Sequence, residues 1–448
     1  MMAERKKAAS DPTKAFVQRL RKDGVRFVRF ELPDMHGMAR AKVIPIDKVE
    51  GYARKGLNMY GGVLSLDTAS MVVPASLYHE EVKYRDQRLF PDFESVRSVP
   101  WLPDTVRVVC DTVWEPGRPL GAAPRYVVRR LLDQAEKMGY LAVMAHEFEY
   151  YILDSEMKPL WEGLHIFNAT RNEQFPILRE LLEQLAASGL EIITHNCEYA
   201  GSQYETNYGP ATGMRGADNG YIFKNVVKEV CTRAGLNATF MSKPFLEGAG
   251  SGCHYHVSFL DKRTKRNVFL DKKDPDGISK TLKYFVQGLL DHAPAMMALM
   301  APTPNCYRRL RPHTFAPSNI SWGIEDRTAT VRIKSSRDEA THIENRAPSA
   351  LCNPYLSAAA TLAGGLLGLK EKHKLPPQTS GPSEQDASLP KLPGSLEESL
   401  DALQADKAFA DMLGDEFVRV YSTLKRFELA RFHEHITDWE RDEYLVYH

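Results

Sequence analysis

The 448 residues contain no CxxC pair, no long apolar run and no surplus of either charge. Each absence removes a class of protein. The six cysteines (Cys110, Cys197, Cys231, Cys253, Cys306 and Cys352) are scattered singly, which speaks against a disulfide framework or a zinc ribbon and points to a reducing, cytoplasmic setting. The longest weakly polar run, 355–369, falls short of the ~20 residues a bilayer needs. It is also interrupted by Ser357, Thr361 and several glycines, so it predicts a buried helix opened by Pro354. Met1 to Lys14 mix charges and lack an apolar segment, so neither a secretory signal nor a membrane anchor is expected. Lys plus Arg total 58 and Asp plus Glu total 58, which leaves no overall basic surplus for nucleic acid. An apolar content of 43% is too high for a disordered chain. There is no GxxxxGK[ST] loop either, so a nucleotide would need another kind of site.

Residues 15–111 consist of short β-rich runs between turns. Val25-Arg26-Phe27-Val28-Arg29-Phe30 alternates strictly and 106–110 resembles it, as half-buried strands do. The loop-forming Pro116-Gly117-Arg118-Pro119-Leu120-Gly121 then gives way to a helical period that starts at Pro124, a favourable first-turn proline. This boundary predicts a small sheet unit over 15–115 and a larger unit over 120–448. In the second unit, helices expected over 174–188, 220–234 and 277–300 alternate with short strands, the pattern of an α/β or α+β catalytic unit. Pro, Ser, Gln and Lys accumulate over 374–394, an exposed loop. Ser395-Leu396-Glu397-Glu398 has the form of a capping box and opens a helical tail.

Ionisable groups recur two residues apart within strand-like sequence, and such side chains share a face of a strand. In Ala145-His146-Glu147-Phe148-Glu149-Tyr150 two carboxylates thus point to one side. Acids so close are costly to bury unless a cation or an arginine holds them; alone, the pair fits either a cation site or a solvated strand face. Glu198 and Glu205 flank a Gly-Ser turn that lets two more acids converge, although most glutamates are simply surface residues. His254 and His256 follow the flexible Gly250-Ser251-Gly252 and share a face, as ligands or as ordinary histidines. Thr341-His342-Ile343-Glu344-Asn345-Arg346 again sets acid and base on one side. Five carboxylates and one imidazole make a hard, oxygen-rich donor set that suits Mg²⁺ or Mn²⁺ better than zinc. The arginines of Tyr307-Arg308-Arg309-Leu310-Arg311 and Asp326-Arg327-Thr328-Ala329-Thr330-Val331-Arg332 supply planar forks for carboxylate or phosphate, with a solvated basic run as the alternative for Arg308 and Arg311. Acids and arginines together predict chemistry on a bound phosphate.

In this order the segments resemble the glutamine synthetase superfamily over nearly the whole chain. The resemblance is carried by His146-Glu147-Phe148-Glu149, by Glu198 to Glu205, by Ala238-Thr239-Phe240-Met241-Ser242-Lys243-Pro244 and by Gly250-Ser251-Gly252-Cys253-His254-Tyr255-His256. Asn305-Cys306-Tyr307-Arg308-Arg309-Leu310, Asp326 to Ile333, Glu344-Asn345-Arg346 and Asn353-Pro354-Tyr355-Leu356 continue it. It implies an α+β fold: an amino-terminal β-grasp domain and a catalytic domain with a curved antiparallel sheet and helices. It also implies a homo-oligomer, hexameric rings stacked as a dodecamer, with active sites between subunits. Two or three Mg²⁺ or Mn²⁺ ions per site are implied, with Glu149, Glu198 and Glu205 matching the ligands of the first and Glu147, His254 and Glu344 those of the second. Arg309 and Arg346 match residues that hold the carboxylates of glutamate, and Gly250 a backbone contact to it. Arg327 and Arg332 match arginines near the transferred phosphate, and His256 and Ser258 positions beside ATP. The implied reaction is attack of the glutamate γ-carboxylate on the ATP γ-phosphate, followed by displacement of phosphate from γ-glutamyl phosphate by an amine.

Departures from the pattern bear on the amine. Where glutamine synthetases carry a latch with an ammonium-binding Asp, this chain has Met59-Tyr60-Gly61-Gly62-Val63, with Asp67 downstream as a possible substitute. The flap acid before Ala-Pro is replaced by Phe315, whereas Asp86 still matches an amine-site position. Ammonium wants acceptors all round, while an alkylamine exchanges a donor for apolar surface. Tyr60 and Phe315 therefore favour a γ-glutamylamide ligase acting on methylamine or another small amine, with Asp86 or Asp67 as proton acceptor. Ammonium, ethanolamine or a polyamine are the alternative substrates; a noncatalytic relative and a guanidino kinase of the same fold are more distant ones. His342 stands where the family often has Arg, and the loop after Lys372 lacks the tyrosine that some bacterial members adenylylate.

Overall fold

Strictly alternating apolar residues in the first quarter of the chain build a mixed sheet. A computed structural model describes residues 11–446; residues 1–10, on which much of the expectation of no leader rests, lie outside them. The first sheet contains β1 (Phe27–Pro33), β2 (Ala39–Pro45), β3 (Leu57–Tyr60), β4 (Asp86–Pro91), β5 (Arg97–Ser98), β6 (Thr105–Glu115) and β7 (Arg118–Pro119). Its order is β2-β1-β6-β4-β3, with β5 and β7 also on β6, and only β1 and β6 run parallel.

The second sheet contains β8 (Tyr140–Leu153), β9 (Ile192–Cys197), β10 (Gln203–Tyr208), β11 (Ala211–Thr212), β12 (Asn237–Thr239), β13 (Cys253–Asp261), β14 (Trp322–Ile324), β15 (Val331–Lys334) and β16 (His342–Asn345). The main path is β14-β15-β16-β13-β8-β10-β9. It is antiparallel as expected, except that β14 runs parallel to β15. One face carries Phe148 and Tyr150, which pack with Phe223 and Phe240 beneath the helices, and Tyr255, which packs on His146. This leaves the opposite face for polar side chains.

The expected helices form, with shifted ends. The 174–188 expectation corresponds to helix Pro176–Ala187, and the run opened by Pro354 is helix Pro354–Glu371, buried along its length and capped by Asn353. The helix expected at 220 begins six residues earlier, as Met214–Arg233. Asp218, a poor helix former in isolation, is held there by Arg125 and Tyr355. The single helix expected over 277–300 is two, Lys280–Asp291 and Ala293–Met300, because Pro294 lacks the N–H that would continue the first. Ser395 caps its helix by accepting from Glu398 N–H, but Glu398 accepts from Gly394 N–H rather than from Ser395, so the reciprocal box is not formed. No helix among the described residues is long and apolar enough to cross a membrane.

Two buried arginine networks join the first sheet to the helices of the second. Arg125 bonds Asp218 through Nε at 2.9 Å and through a terminal nitrogen at 2.8 Å, and also reaches Asp111 at 2.6 Å and Asp92 at 2.7 Å. Arg29 forks onto Glu229 at 2.8 and 2.9 Å, beside Arg107 and the buried Glu31. Removing one member of such a group leaves the others charged and buried, which is why their fit fixes how the sheets sit together.

Candidate active site

Strand register lines up the ionisable residues across the polar face of the second sheet. Glu205 on β10 lies opposite Glu149 on β8, and Glu147 lies opposite His254 on β13. His256 faces Glu344 on β16, which in turn faces Arg332 on β15. The period-two spacing seen in the sequence thus becomes a ladder, with Ser258 two residues further along the His256 face.

At one end of the ladder, His254 Nδ1 is 2.8 Å from Glu147 Oε1 and 3.4 Å from Glu344 Oε1, while His256 Nε2 is 3.4 Å from Glu147 Oε2. Donor atoms of Glu147, His254 and Glu344 all lie within 4.8 Å of one another. Glu344 is the charge hub: Arg332 donates to it at 3.1 Å and Arg346 donates to its other oxygen. Burial opposes its ionisation, but the attraction of His254, Arg346 and His256 prevails and brings its pKa down to about 2. Glu147 is likewise held well below the carboxylate range, against its burial, by His254 and His256.

At the other end no guanidinium or ammonium among the described residues bonds the acids, and Arg309 acts on Glu149 from behind the 250–252 loop. Glu149 accepts from Gly252 N–H at 2.7 Å, Glu198 from the Asn196 amide at 3.0 Å and Glu205 from the Asn207 amide at 2.9 Å. Burial, then repulsion from Glu149, pushes Glu198 up to about 7. Burial, then repulsion from Glu147, Glu149 and Glu198, pushes Glu205 up to about 10. Acids buried together and reluctant to ionise fit a hard divalent cation, which would favour their charged forms. In EDTA the sign is fixed by these shifts. Both pKa values exceed the ordinary glutamate value of about 4.3, so stability is complete below that value and falls as pH rises through 7 toward 10. The metal-free protein is expected to melt several degrees lower at pH 9 than at pH 6, and millimolar Mg²⁺ or Mn²⁺ should close most of the gap. A flat or rising profile in EDTA would contradict the cluster.

The arginines converge on the same face unequally. Buried Arg309 threads behind the 250–252 loop and contacts the carbonyls of Arg346, Ala347 and Pro348 at 3.4 Å. A Cβ at Gly252 would lie 2.5 Å from its guanidinium and one at Gly250 would lie 2.8 Å from its stem. These glycines are therefore needed for close approach. Gly250 spends its carbonyl on the Gln203 amide at 3.0 Å. Arg332 also bonds Glu325 at 2.5 Å, whereas Arg327 stands exposed on the turn between β14 and β15. His256 Nδ1 lies 3.0 Å from His342 Nε2, so the two imidazoles occupy the place read as a nucleotide edge.

The amine-site residues are less uniformly gathered. Phe315 lies at the ladder: its ring stacks on Tyr199, with centroids 5.5 Å apart and planes 18° from parallel, and its carbonyl accepts from Arg346 at 3.2 Å. Both rings are exposed, at 54% and 39%. Tyr199 follows Glu198 directly, so the stacked pair forms an aromatic wall beside the repelling acids. Tyr60, Asp67 and Asp86 belong to the first sheet and its loop, and no hydrogen bond or ion pair ties them to the ladder among the described residues. Tyr60 Oη is 2.5 Å from His79 Nδ1, and Asp86 is exposed opposite Tyr60. Asp67 is buried with both oxygens engaged, one by the N–H groups of Ala69 and Met71 and the other by Arg431, so in this chain it acts as a turn anchor and not as a spare acid. Sequence inspection missed Tyr199, Glu325, His79 and Arg431; only Tyr199, adjacent to Glu198, carried a local signal.

Comparison with known proteins fits this geometry. Residues 121–444 match the glutamine synthetase catalytic domain. The glutamine synthetase of Thermotoga maritima is 32% identical over 95% of this chain and 98% of its own length. The glutamate–isopropylamine ligase of a Pseudomonas species is 28% identical over 95% and 96%. Among solved structures, the GmaS/ADP complex superposes with a TM-score of 0.86 at 28% identity, covering 96% of this chain and 99% of that one.

Proposed function

Since the chain belongs to the glutamine synthetase family, whose members are ATP-dependent glutamate–amine ligases, we propose that it joins the γ-carboxylate of glutamate to a small alkylamine, methylamine first, to give a γ-glutamylamide, ADP and phosphate. The observation that carries the alkylamine is the Phe315–Tyr199 stack, apolar surface at the point where ammonium would need an acceptor. Similarity to GmaS structures and to an isopropylamine ligase supports the same direction.

In this proposal Arg309 and Arg346 orient glutamate so that a γ-carboxylate oxygen meets the γ-phosphorus of ATP in line with the departing ADP. Arg332 and Arg327 bind the phosphate as its charge spreads, Arg332 exchanging Glu344 and Glu325 for phosphate oxygens. His256 and Ser258 line the nucleotide side. Glu149, Glu198, Glu205 and Glu147, His254, Glu344 would hold Mg²⁺ or Mn²⁺, which supply neutralisation of the triphosphate. The amine nitrogen then attacks the γ-carbonyl carbon of γ-glutamyl phosphate, phosphate leaves, and an acid accepts the amine's extra proton. Asp86 suits that role better than the fully engaged Asp67. Tyr60 and Asp86, on the first sheet, would serve a neighbouring subunit's ladder in a ring, stacked as a dodecamer. Division at 15–115 and 120–448 and a cytoplasmic location belong to the same proposal.

The test is amine-dependent phosphate release with ammonium, methylamine, ethylamine, ethanolamine and putrescine at fixed ATP and glutamate. Methylamine or ethylamine is expected to have the highest kcat/KM, and Phe315→Glu to move preference toward ammonium by about tenfold or more. A much higher kcat/KM for ammonium in the unaltered enzyme would replace this proposal with glutamine synthesis.

A further inference from the structure

Three helix ends meet away from the ladder. Asp291 ends helix Lys280–Asp291, Glu371 ends helix Pro354–Glu371, and His292 joins the first of these to Ala293–Met300. Donor atoms of Asp291, Glu371 and His373 all lie within 4.8 Å of one another. His373 Nδ1 is 3.0 Å from Asp291 Oδ2 and 4.0 Å from Glu371 Oε2. His292 reaches the group from the core side. It is 7% exposed, and its Nε2 is buried without a hydrogen-bond partner, 3.7 Å from Glu371 Oε2.

The surroundings fix the His292 ring. Its Nδ1 lies 2.6 Å from Asp406 Oδ2, and the ring stacks on Phe409 with centroids 5.8 Å apart. Asp406 is itself anchored, its other oxygen capping Phe409 N–H at 3.0 Å. Donation from Nδ1 to Asp406 leaves the Nε2 lone pair facing a carboxylate oxygen, two acceptors that repel unless a cation or a proton lies between them. A metal-bound histidine typically gives its other N–H to a carboxylate in just this way. The Gln287 amide holds Asp291 Oδ1 at 2.6 Å and leaves Oδ2 toward His373.

Tetrahedral bonds of about 2.0–2.1 Å put neighbouring donors roughly 3.3 Å apart; the His373–Asp291 and His373–Glu371 separations, 3.0 and 4.0 Å, bracket that value, while His292 stands behind the group and approaches Glu371 at 3.7 Å. An imidazole and two carboxylates, with a second imidazole behind Glu371, suit a borderline ion such as Zn²⁺ or Co²⁺ better than Mg²⁺. We infer that Asp291, Glu371 and His373, backed by the buried His292 between Glu371 and Asp406, form a second, noncatalytic cation site for a zinc-class divalent ion, clamping the ends of helices Lys280–Asp291 and Pro354–Glu371 to the start of helix Lys407–Leu413. It is independent of the amine assignment.

Full-length protein in saturating Mg²⁺ would be dialysed against micromolar Co²⁺ or Zn²⁺ and its metal content measured. The unaltered protein is expected to retain about one equivalent per chain more than His373→Ala or Glu371→Gln. It should also show the intense visible absorption of tetrahedral Co²⁺, and a Zn²⁺-dependent rise in melting temperature that both variants lose. Both variants should keep their Mg²⁺-dependent turnover. Equal metal content in all three proteins, an unchanged Co²⁺ spectrum in either variant, or absence of the extra equivalent from the unaltered protein would overturn the site.

Discussion

Glu149→Ala and Glu344→Ala are both expected to lower turnover by about a thousandfold or more, yet to change stability very unequally. Glu344 answers Arg332, Arg346 and His254 at once, and is itself buried. Its removal leaves Arg346 buried without a paired carboxylate and Arg332 with Glu325 alone, a loss of about 3–5 kcal/mol. Glu149 makes a single bond, to Gly252 N–H, and its charge helps to push Glu198 and Glu205 up. Removing it relieves that repulsion but also takes a negative charge from beside buried Arg309, so in EDTA at pH 8 Glu149→Ala should lower the melting temperature far less than Glu344→Ala. Phosphate release and thermal denaturation in EDTA check both halves. Turnover above about a hundredth of the parent in either variant would break the assignment of these carboxylates to the catalytic site. Equal melting behaviour would show that the polarity of the ladder, positive at one end and negative at the other, has been misjudged.

Gly368→Ala is the largest expected effect outside the site. Helices Lys280–Asp291 and Pro354–Glu371 cross so closely that a Cβ on Gly368 would lie 2.6 Å from Gly288 N, 2.8 Å from Gly288 Cα and closer still to the Tyr284 carbonyl. All three are backbone atoms and have nowhere to go, so the helices must part. The cost should reach or exceed the upper end of the ~1–3 kcal/mol usual for overpacking. Activity should suffer as well, because Thr361 on this helix accepts from Asn345, the neighbour of Glu344, and Ser357 lies 3.1 Å from His146 Nε2, the neighbour of Glu147. Gly364→Ala meets the flexible Met296 at 3.0 Å and Leu289 at 3.2 Å and should be milder, while Gly381→Ala meets nothing within 4 Å and should be neutral. Melting curves for the three variants give the ranking, and a Gly368→Ala protein as stable as Gly381→Ala would refute the close crossing.

Sequence inspection reached the ladder because a strand repeats every two residues, so Glu147 with Glu149 and His254 with His256 announce a shared face without any knowledge of their partners. The same local logic found Pro354 opening its helix and the β-rich first quarter. It failed where the deciding contact is distant. The start of helix Met214–Arg233 contains Gly216, Asp218 and Asn219 and looks like a loop until Arg125 and Tyr355 are seen to take Asp218. Asp67 looked available because nothing near it in the chain foretells Arg431. The Tyr199–Phe315 stack likewise joins two loops that no periodicity relates. Phe315 could be noticed as an unexpected residue and Tyr199 as the neighbour of Glu198, but their contact could not.

The glycine-lined crossing also limits how this chain can change in length. One residue added to or removed from helix Pro354–Glu371 turns everything beyond it by about 100°. Such a shift would swing Gly364 and Gly368 away from Gly288 and break the pairing of Thr361 with Asn345 or of Asn353 with the carbonyls of Asp34 and Met35, depending on where it fell. Segment 374–394, with one short turn over Ser383–Gln385, keeps no helical period: it is pinned at separate points, where Pro376 accepts from Trp322, Ser383 donates to Asp326 and Lys391 bridges Asn319, and the chain between those points is mostly exposed. Insertions and deletions between this chain and its relatives are therefore expected to collect after Lys374 and to spare the helix before it, whatever the sequence identity.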